Sequence, residues 1–385
     1  MGASVALVER GRMGGDCLNY GCVPSKALFA AHTAHVMQHS DRFGVKSVTP
    51  EVDYPALREH IRGVIAAIEP NDSVERFTGL GVNVIEAEGR FVAPDELEAG
   101  GKRIKAKRFV IATGSSAMVP PIPGLDTVPY LTNETVFELD SRPDHLIVIG
   151  GGPIGAELAQ AHRRLGAQVT VLEMFDFLGK DDPELTAVVH RQFVADGVDV
   201  RAGTAVKSVA AAAGGGIAVD VVKDGRPEVV TGTHLLVAAG RQANTAGLNL
   251  EAAGVHYDRK GITVDARLRT SNKKIFAIGD VVGPYQFTHM AGYHAGIVIR
   301  NLLFKLPAKV DYRAVPWVTY TDPELAHVGM TEAQAKDNKV SGLNILRWPF
   351  HENDRAQAER ETHGMIKVVL DKKGRVLGAT IAGSR

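Results

Sequence analysis

Residues 145–173 read HLIVIGGGPIGAELAQAHRRLGAQVTVLE. The apolar run LIVI predicts a buried strand, the glycines a tight turn, GAELAQAHRRLG a helix and VTVL a second strand. Together these make a βαβ unit. Gly150, Gly152 and Gly155 give GxGxxG directly after the first strand and at the start of the helix. Glycines there let the backbone approach a pyrophosphate, whose charge sits on the helix N-terminus. Glu173 follows Gly150 by 23 residues, close to the ~20 expected for an acid that accepts from a ribose hydroxyl. It would repel a 2′-phosphate, and the following MFDF supplies no arginine, so NAD(H) is expected rather than NADP(H). The plainer alternative for Glu173 is a solvated strand end.

Working outward, MGASVALVER at residues 1–10 resembles LGAQVTVLEM at residues 165–174: each is Gly-Ala, an alternating aliphatic strand, then Glu. On the same plan the first copy's glycine turn would lie about fourteen residues before Gly2. The chain is therefore expected to open inside a second dinucleotide-binding unit, without that unit's first strand and phosphate loop. RFVIATGSS at 108–116, HLLVAAGRQAN at 234–244 and KKIFAIGD at 273–280 are apolar strands closing on small residues. Strand ends bordering a nucleotide look like this, although ordinary strand-to-loop turns also do. Asp280, beside a glycine, can accept from a sugar-like hydroxyl or cap a helix.

PPIPGLD at 120–126 reads as a linker, AAAAGGG at 210–216 as a turn between strands, and KRIKAKR at 102–108 as a solvated strand edge, because it lacks interleaved aromatics. After residue 309, VPWVTYTD, MIKVVLD and RVLGATIAG predict a further α+β domain. At 385 residues the chain should divide into two to four domains. Lysine plus arginine equals aspartate plus glutamate at 44 each, so no net field draws it to nucleic acid or an anionic membrane. No run approaches the ~18 apolar residues of a membrane span, and the opening has no basic start before its apolar stretch. A cytoplasmic protein acting on small molecules is expected.

Cys17 and Cys22 are the only cysteines, within GGDCLNYGCVPSK at residues 14–26. Two are too few for a secreted disulfide framework, and no metal site is expected. VPSKALFAAHTAHVMQ predicts a helix starting just after Cys22. A thiolate there feels the helix N-terminus and Lys26, both of which lower its pKa.

With these pieces in order, the chain resembles the pyridine nucleotide disulfide oxidoreductases, within them the group of dihydrolipoamide dehydrogenase and mercuric reductase. The resemblance implies an α/β fold of two Rossmann-like dinucleotide-binding domains, one for FAD and one for NAD, plus a C-terminal α+β interface domain. Residues 1–118 and 242–308 would form the FAD domain, 119–241 the NAD domain and 309–385 the interface domain. It implies a redox-active Cys17–Cys22 disulfide, with Cys22 against the flavin and Cys17 exchanging with substrate. Lys26 would stand beside the flavin's reactive nitrogen, with Glu157 paired to it, and Glu9 would hold the adenosine ribose of FAD. Gly15, Gly89, Thr113, Gly114, Ser115, Asp280, Thr288 and His289 correspond to further FAD contacts. Gly150, Gly151, Gly152, Pro153, Ile154, Gly155, Ala156, Glu157, Glu173, Val206 and Gly240 correspond to NAD contacts. The full-length relatives are homodimers.

The chain departs from the family in three ways. The FAD phosphate loop is expected to be missing. The chain is expected to end before a histidine and glutamate that serve the partner subunit's cysteines; His351 and His363 do not match that pair and read as surface residues. Pro153 stands where several relatives carry an aromatic residue, so nicotinamide access is expected to differ. The implied function is electron transfer from NADH through flavin and the cysteine pair to a disulfide, dithiol or metal-ion substrate. Two alternatives stay open: a catalytically incomplete fragment that retains NAD binding, and a metal-binding or redox-sensing module.

Overall fold

The computed structural model describes residues 2–28 and 30–384. Met1, Phe29 and Arg385, each inside a segment read above, lie outside the described residues. The chain divides into two compact units: residues 1–27, 59–118 and 241–311, and residues 28–58, 119–240 and 312–385.

In the first unit, Ala6–Glu9 pairs in parallel with Asn83–Glu86, and Phe109–Ile111 with Ile275–Ala277. Gly89–Ala93, Glu96–Ala99 and Lys102–Lys105 form an antiparallel meander. The basic run is the edge strand of that meander, and Arg103 lies 3.6 Å from both Glu96 and Glu98 on the neighbouring strand. Its charge is thus met within the sheet. Phe91, Ile111, Leu250, Ile262, Ile275 and Val281 form one core. Leu268 and Phe276 form another with Ile297 and Val298, which seat the Thr288–Leu302 helix.

The second unit holds a four-stranded parallel sheet in the order 199–201, 168–172, 145–149, 234–237. Numbered by sequence this is 3-2-1-4, the doubly wound arrangement. Leu146, Ile147 and Val148 are wholly buried, as a strand covered on both faces requires. Its crossover is the Pro153–Arg164 helix, with proline at its first position, where the missing N–H costs nothing. The strands Thr204–Ala211 and Ile217–Lys223 flank the alanine-glycine tract, as a turn there predicts. The single helix expected after Cys22 is instead two, Cys22–Ala27 in the first unit and Ala30–Gln38 in the second. The first begins at Cys22 itself, since Pro24 is tolerated only in a first turn.

A five-stranded antiparallel sheet in the same unit runs 316–319, 324–329, 376–383, 365–370, 344–349. Its two edge strands carry Pro316 and Pro349. Alternation along its strands points Leu325, His327, Lys367, Val369 and Thr380 to a buried face, and Val328, Leu346, Trp348 and Ile381 to an exposed one. On the buried face the Lys367 ammonium lies 2.8 Å from Asp182, 3.0 Å from Glu184 and 2.8 Å from Glu332. Lys367 and Asp182 side chains are only 4% and 3% exposed. Glu184 keeps Arg347 and Glu332 keeps Lys336, but removing the cation leaves the buried Asp182 carboxylate without its ion pair, so Lys367→Met is expected to destabilise the fold by about 3–5 kcal/mol, read as a lower thermal midpoint. Among the described residues, no helix is long and apolar enough to cross a membrane.

Candidate active site

In the first unit, Gly14 (φ 86°) and Gly15 (φ 60°) turn the chain into the Gly15–Asn19 helix. A Cβ on Gly14 would stand 2.3 Å from Leu18 Cδ2, so only glycine permits this entry. The turn brings Cys17 within hydrogen-bonding reach of Cys22, the first residue of the next helix. Cys22 Sγ lies 3.3 Å from Thr288 Oγ1, and Lys26 follows on the last turn of that helix, donating to Ser25 Oγ at 3.3 Å.

The Cys22 thiol is held down to about 6, chiefly by the Cys17 S–H, against partial burial and with help from the Thr288 hydroxyl and the Lys26 cation. Cys17 is pushed upward, first by donating that hydrogen bond and then by burial. Alkylation of the reduced protein by iodoacetamide should therefore rise with a midpoint near pH 6, well below the thiol's ordinary 9.0. By linkage, the depressed value stabilises the reduced fold fully above pH 9.0, and that contribution is lost as the pH falls through about 6.

Thr113, Gly114 and Ser115 lie where two unit-one strands end. Thr113 Oγ1 donates to Asn244 O at 2.7 Å, Asn244 Nδ2 donates to Thr113 O at 2.9 Å, and Gly114 takes φ 68°. Ser115 Oγ donates to Asp280 Oδ2 at 2.7 Å. Burial raises the Asp280 carboxyl, while Ser115 and Arg241 oppose the rise. The adjoining Gly279 N–H donates to the buried His294 Nδ1 at 3.1 Å, which fixes the turn carrying Asp280. Thr288 and His289 open the Thr288–Leu302 helix, where unsatisfied N–H groups favour an anion. Glu9 ends its strand, and its Oε1 accepts from Gly11 N at 2.8 Å; Gly89 begins another strand.

In the second unit, Gly150 has φ 111°, and a Cβ on Gly155 would meet Gly150 O at 2.0 Å. The helix start can sit this close to the strand only as glycine. At Gly152 the space a Cβ would take is open, directly at the N-terminus of the helix that Pro153, Ile154, Gly155 and Ala156 begin. Glu173 Oε2 accepts from Gly151 N at 2.7 Å and Oε1 from Phe175 N at 2.8 Å. Two backbone donors thus aim an acceptor-only group, and Phe175 beyond it is exposed.

Glu157 Oε1 accepts from Tyr320 N at 2.9 Å. On the same helix, Gln160 Oε1 accepts from Asp322 N at 2.8 Å and Arg164 Nη1 reaches Asp322 Oδ2 at 2.7 Å. One face of the glycine helix therefore grips residues 320–322. Val206 lies half-buried on its strand beside a bulge, and Gly240 takes φ 120°. Lys26 falls in the first unit and Glu157 in the second.

The structure thus gathers Cys17, Cys22, Lys26 and Thr288 into one cluster, Thr113 to Ser115 with Asp280 into another, and Gly150 to Gly155 with Glu173 into a third. Sequence reasoning missed Asp16, Arg241, Asn244 and Tyr320. Arg241 and Asn244 stand inside the quoted stretch from residue 234, whereas Tyr320 acts through its backbone and leaves no sequence signal. Among the described residues, no three His, Cys, Asp or Glu side chains converge as a metal-holding group.

The donor sets suit two nucleotide cofactors. The half-buried Asp280 carboxylate fits a polyol hydroxyl and the helix start at Thr288 fits a phosphate, as FAD offers. The opening at Gly152 with Glu173 fits the pyrophosphate and ribose of a nicotinamide nucleotide.

Comparison with known proteins agrees. The family description "Pyridine nucleotide-disulphide oxidoreductase" matches residues 1–295, and the dimerisation domain of that family matches residues 315–385. The chain is 37% identical to mercuric reductase of Bacillus cereus, over 99% of this chain and 61% of that protein. It is 34% identical to dihydrolipoyl dehydrogenase of Geobacillus stearothermophilus, over 100% of this chain and 82% of that one. It thus spans about three fifths of the Bacillus cereus enzyme's length. The HOCl-induced flavoprotein disulfide reductase RclA from Escherichia coli superposes with a TM-score of 0.86 at 30% identity, covering 100% of this chain and 85% of that one. The fold class inferred from the resemblance is borne out. The chain belongs to the pyridine nucleotide-disulphide oxidoreductases, a family of oxidoreductases that use FAD and NAD(P)H.

Proposed function

We propose that this chain moves electrons from NADH, by way of FAD, to the Cys17–Cys22 pair and on to a disulfide, dithiol or metal-ion substrate. The observation that carries the reading is the pair itself: two free thiols on successive short helices, with Cys17 first, then Thr288 and Lys26, holding Cys22 as its thiolate near neutral pH. FAD, when bound, supplies the two-electron relay between nicotinamide and sulfur. Lys26 would stand beside it and stabilise negative charge, and Asp280, Thr288 and Ser115 would hold its sugar-like chain and phosphates.

Reduction of the disulfide takes two electrons and two protons and yields two thiols. Transfer of the Cys17 proton to the Cys22 sulfur leaves Cys17 as the nucleophile. Cys17 then attacks one sulfur of the substrate disulfide and expels the other, which takes the proton from Cys22 and leaves as a thiol. Cys22, again a thiolate, attacks Cys17 in the mixed disulfide, closes the ring and releases the second sulfur, which takes its proton from solvent and leaves as the second thiol. One NADH and one proton are consumed for two product thiols.

Glu173, aimed by two backbone donors, favours NADH over the 2′-phosphorylated form. The exposed apolar face of the five-stranded sheet supports assembly as a homodimer. In this reading the protein works in the cytoplasm on small molecules.

The test is the visible spectrum of the purified protein followed by an NADH-dependent disulfide reduction assay. A yellow protein with flavin absorbance and NADH turnover is expected. A colourless protein that FAD neither colours nor stabilises would overturn the reading. If its thermal midpoint still rose with NADH, it would be left as an NAD-binding chain.

A further inference from the structure

The helix that carries Cys17 has five residues, Gly15–Asn19, too few to hold their shape alone, and it is entered through two left-handed glycines. Something outside it must fix the sulfur. Asp16 directly precedes Cys17, and its Oδ1 lies 3.1 Å from Arg241 Nη2. The Arg241 side chain is 11% exposed and is itself anchored: Nε donates to Ser115 Oγ at 2.7 Å and Nη2 to Ser115 O at 2.7 Å.

Ser115 in turn donates to Asp280, whose Oδ2 lies 3.9 Å from Arg241 Nε. The backbone of Arg241 is locked too, since residues 241–243 pair antiparallel with 115–117. A planar guanidinium fork therefore ties the Cys17 helix to the strand ends around Asp280. It also faces a carboxylate covalently next door to a thiol. Left unpaired, that carboxylate would disfavour a neighbouring thiolate.

We propose that Arg241 is a positioning residue for the Cys17–Cys22 pair: through Asp16 it fixes the helix bearing Cys17 and balances the carboxylate on the residue that precedes that cysteine. The inference rests on the redox reading of the pair only for its purpose. The charge relation can be measured without the cofactor's chemistry.

The experiment is the pH profile of iodoacetamide alkylation of the reduced holoprotein, run on the wild type, Arg241→Met, Asp16→Asn and the double variant, with far-ultraviolet circular dichroism on each. Arg241→Met is expected to raise the midpoint by about half a unit to one unit, because the Asp16 and Asp280 carboxylates lose the cation they share. Asp16→Asn is expected to lower it, because the carboxylate preceding Cys17 is gone while Arg241, paired also with Asp280, remains. The double variant should return toward the wild type, and Arg241→Lys should stay closer to the wild type than Arg241→Met.

A loss of packing alone would not shift the midpoint in opposite directions for the two partners. An unchanged midpoint in Arg241→Met, or one that does not fall in Asp16→Asn, overturns the proposal. So does a double variant no nearer the wild type than Arg241→Met. If Arg241→Met fails to fold, the Asp16→Asn shift alone decides. Were the wild-type thiols unable to join on treatment with an oxidised cyclic dithiol, the redox function would fall. Opposite shifts would then still support the role of Arg241.

Discussion

Cys22→Ser is expected to lower NADH-driven disulfide reduction by about 10³-fold or more while leaving NADH affinity nearly unchanged. A hydroxyl replaces the sulfur with little change in volume, so the fold should persist. It can neither form the ring with Cys17 nor ionise near pH 6. Removing one member of a unit that acts together costs about as much as removing all of it, so Cys17→Ser should be comparably inactive. In the proposed reading NADH binds at Gly150 to Gly155 and Glu173, in the other unit, so its binding should survive both changes. Steady-state rates with a small disulfide, alongside NADH titration by fluorescence, make the check. A serine variant keeping more than a tenth of the rate would mean that electrons leave by another route.

The second large effect concerns assembly. The outward face of the five-stranded sheet aligns Trp348, Ile366, Ile381, Ala326 and Val318 across all five strands, with Leu346, Val368, Ala379 and Val328 in the next row. Trp348, Leu346 and Ile381 are 53%, 50% and 41% exposed. A contiguous apolar sheet face of this kind marks an association surface.

Trp348→Glu combined with Ile381→Glu would place two charges in the centre of such a contact, where unpaired burial is costly. Analytical ultracentrifugation is expected to show a dimeric wild type and a monomeric double variant, with the dissociation constant raised by about 10³-fold or more. The inner face, with Lys367 and Val369, is untouched, so the monomer should melt cooperatively. A monomeric wild type at micromolar concentration would remove this face from the account.

The glycine turn was legible because several constraints coincide in it. Gly150 must adopt a positive φ, Gly155 must admit a carbonyl at contact distance, and Glu173 must sit at the end of the next strand. Each leaves a residue type at a fixed spacing. The cysteine cluster was legible in part. Lys26, one helical turn beyond Cys22, is local and can be read from spacing.

Thr288 is not local. It meets Cys22 from 266 residues away in sequence, and only the family resemblance pointed to it, as a cofactor contact rather than a partner of the sulfur. Arg241 leaves no local signal, because what holds it is distant in sequence. Its partners, Asp16, Ser115 and Asp280, come from three separate segments. The one helix expected after Cys22 begins a residue earlier, because a proline in the first turn allows that start, and is divided in two, which no residue signal in the stretch announces.

The prolines on the two outer strands of the five-stranded sheet carry a further consequence. Pro316 and Pro349 lack the N–H that an added strand would need, so neither border invites another chain to continue the ladder. Growth along the hydrogen-bonding direction would be open-ended and lead to fibres, whereas stacking of one apolar face on its copy uses that face up. The sheet is thereby steered toward closed pairs and away from polymer, even when crowded molecules collide at high concentration.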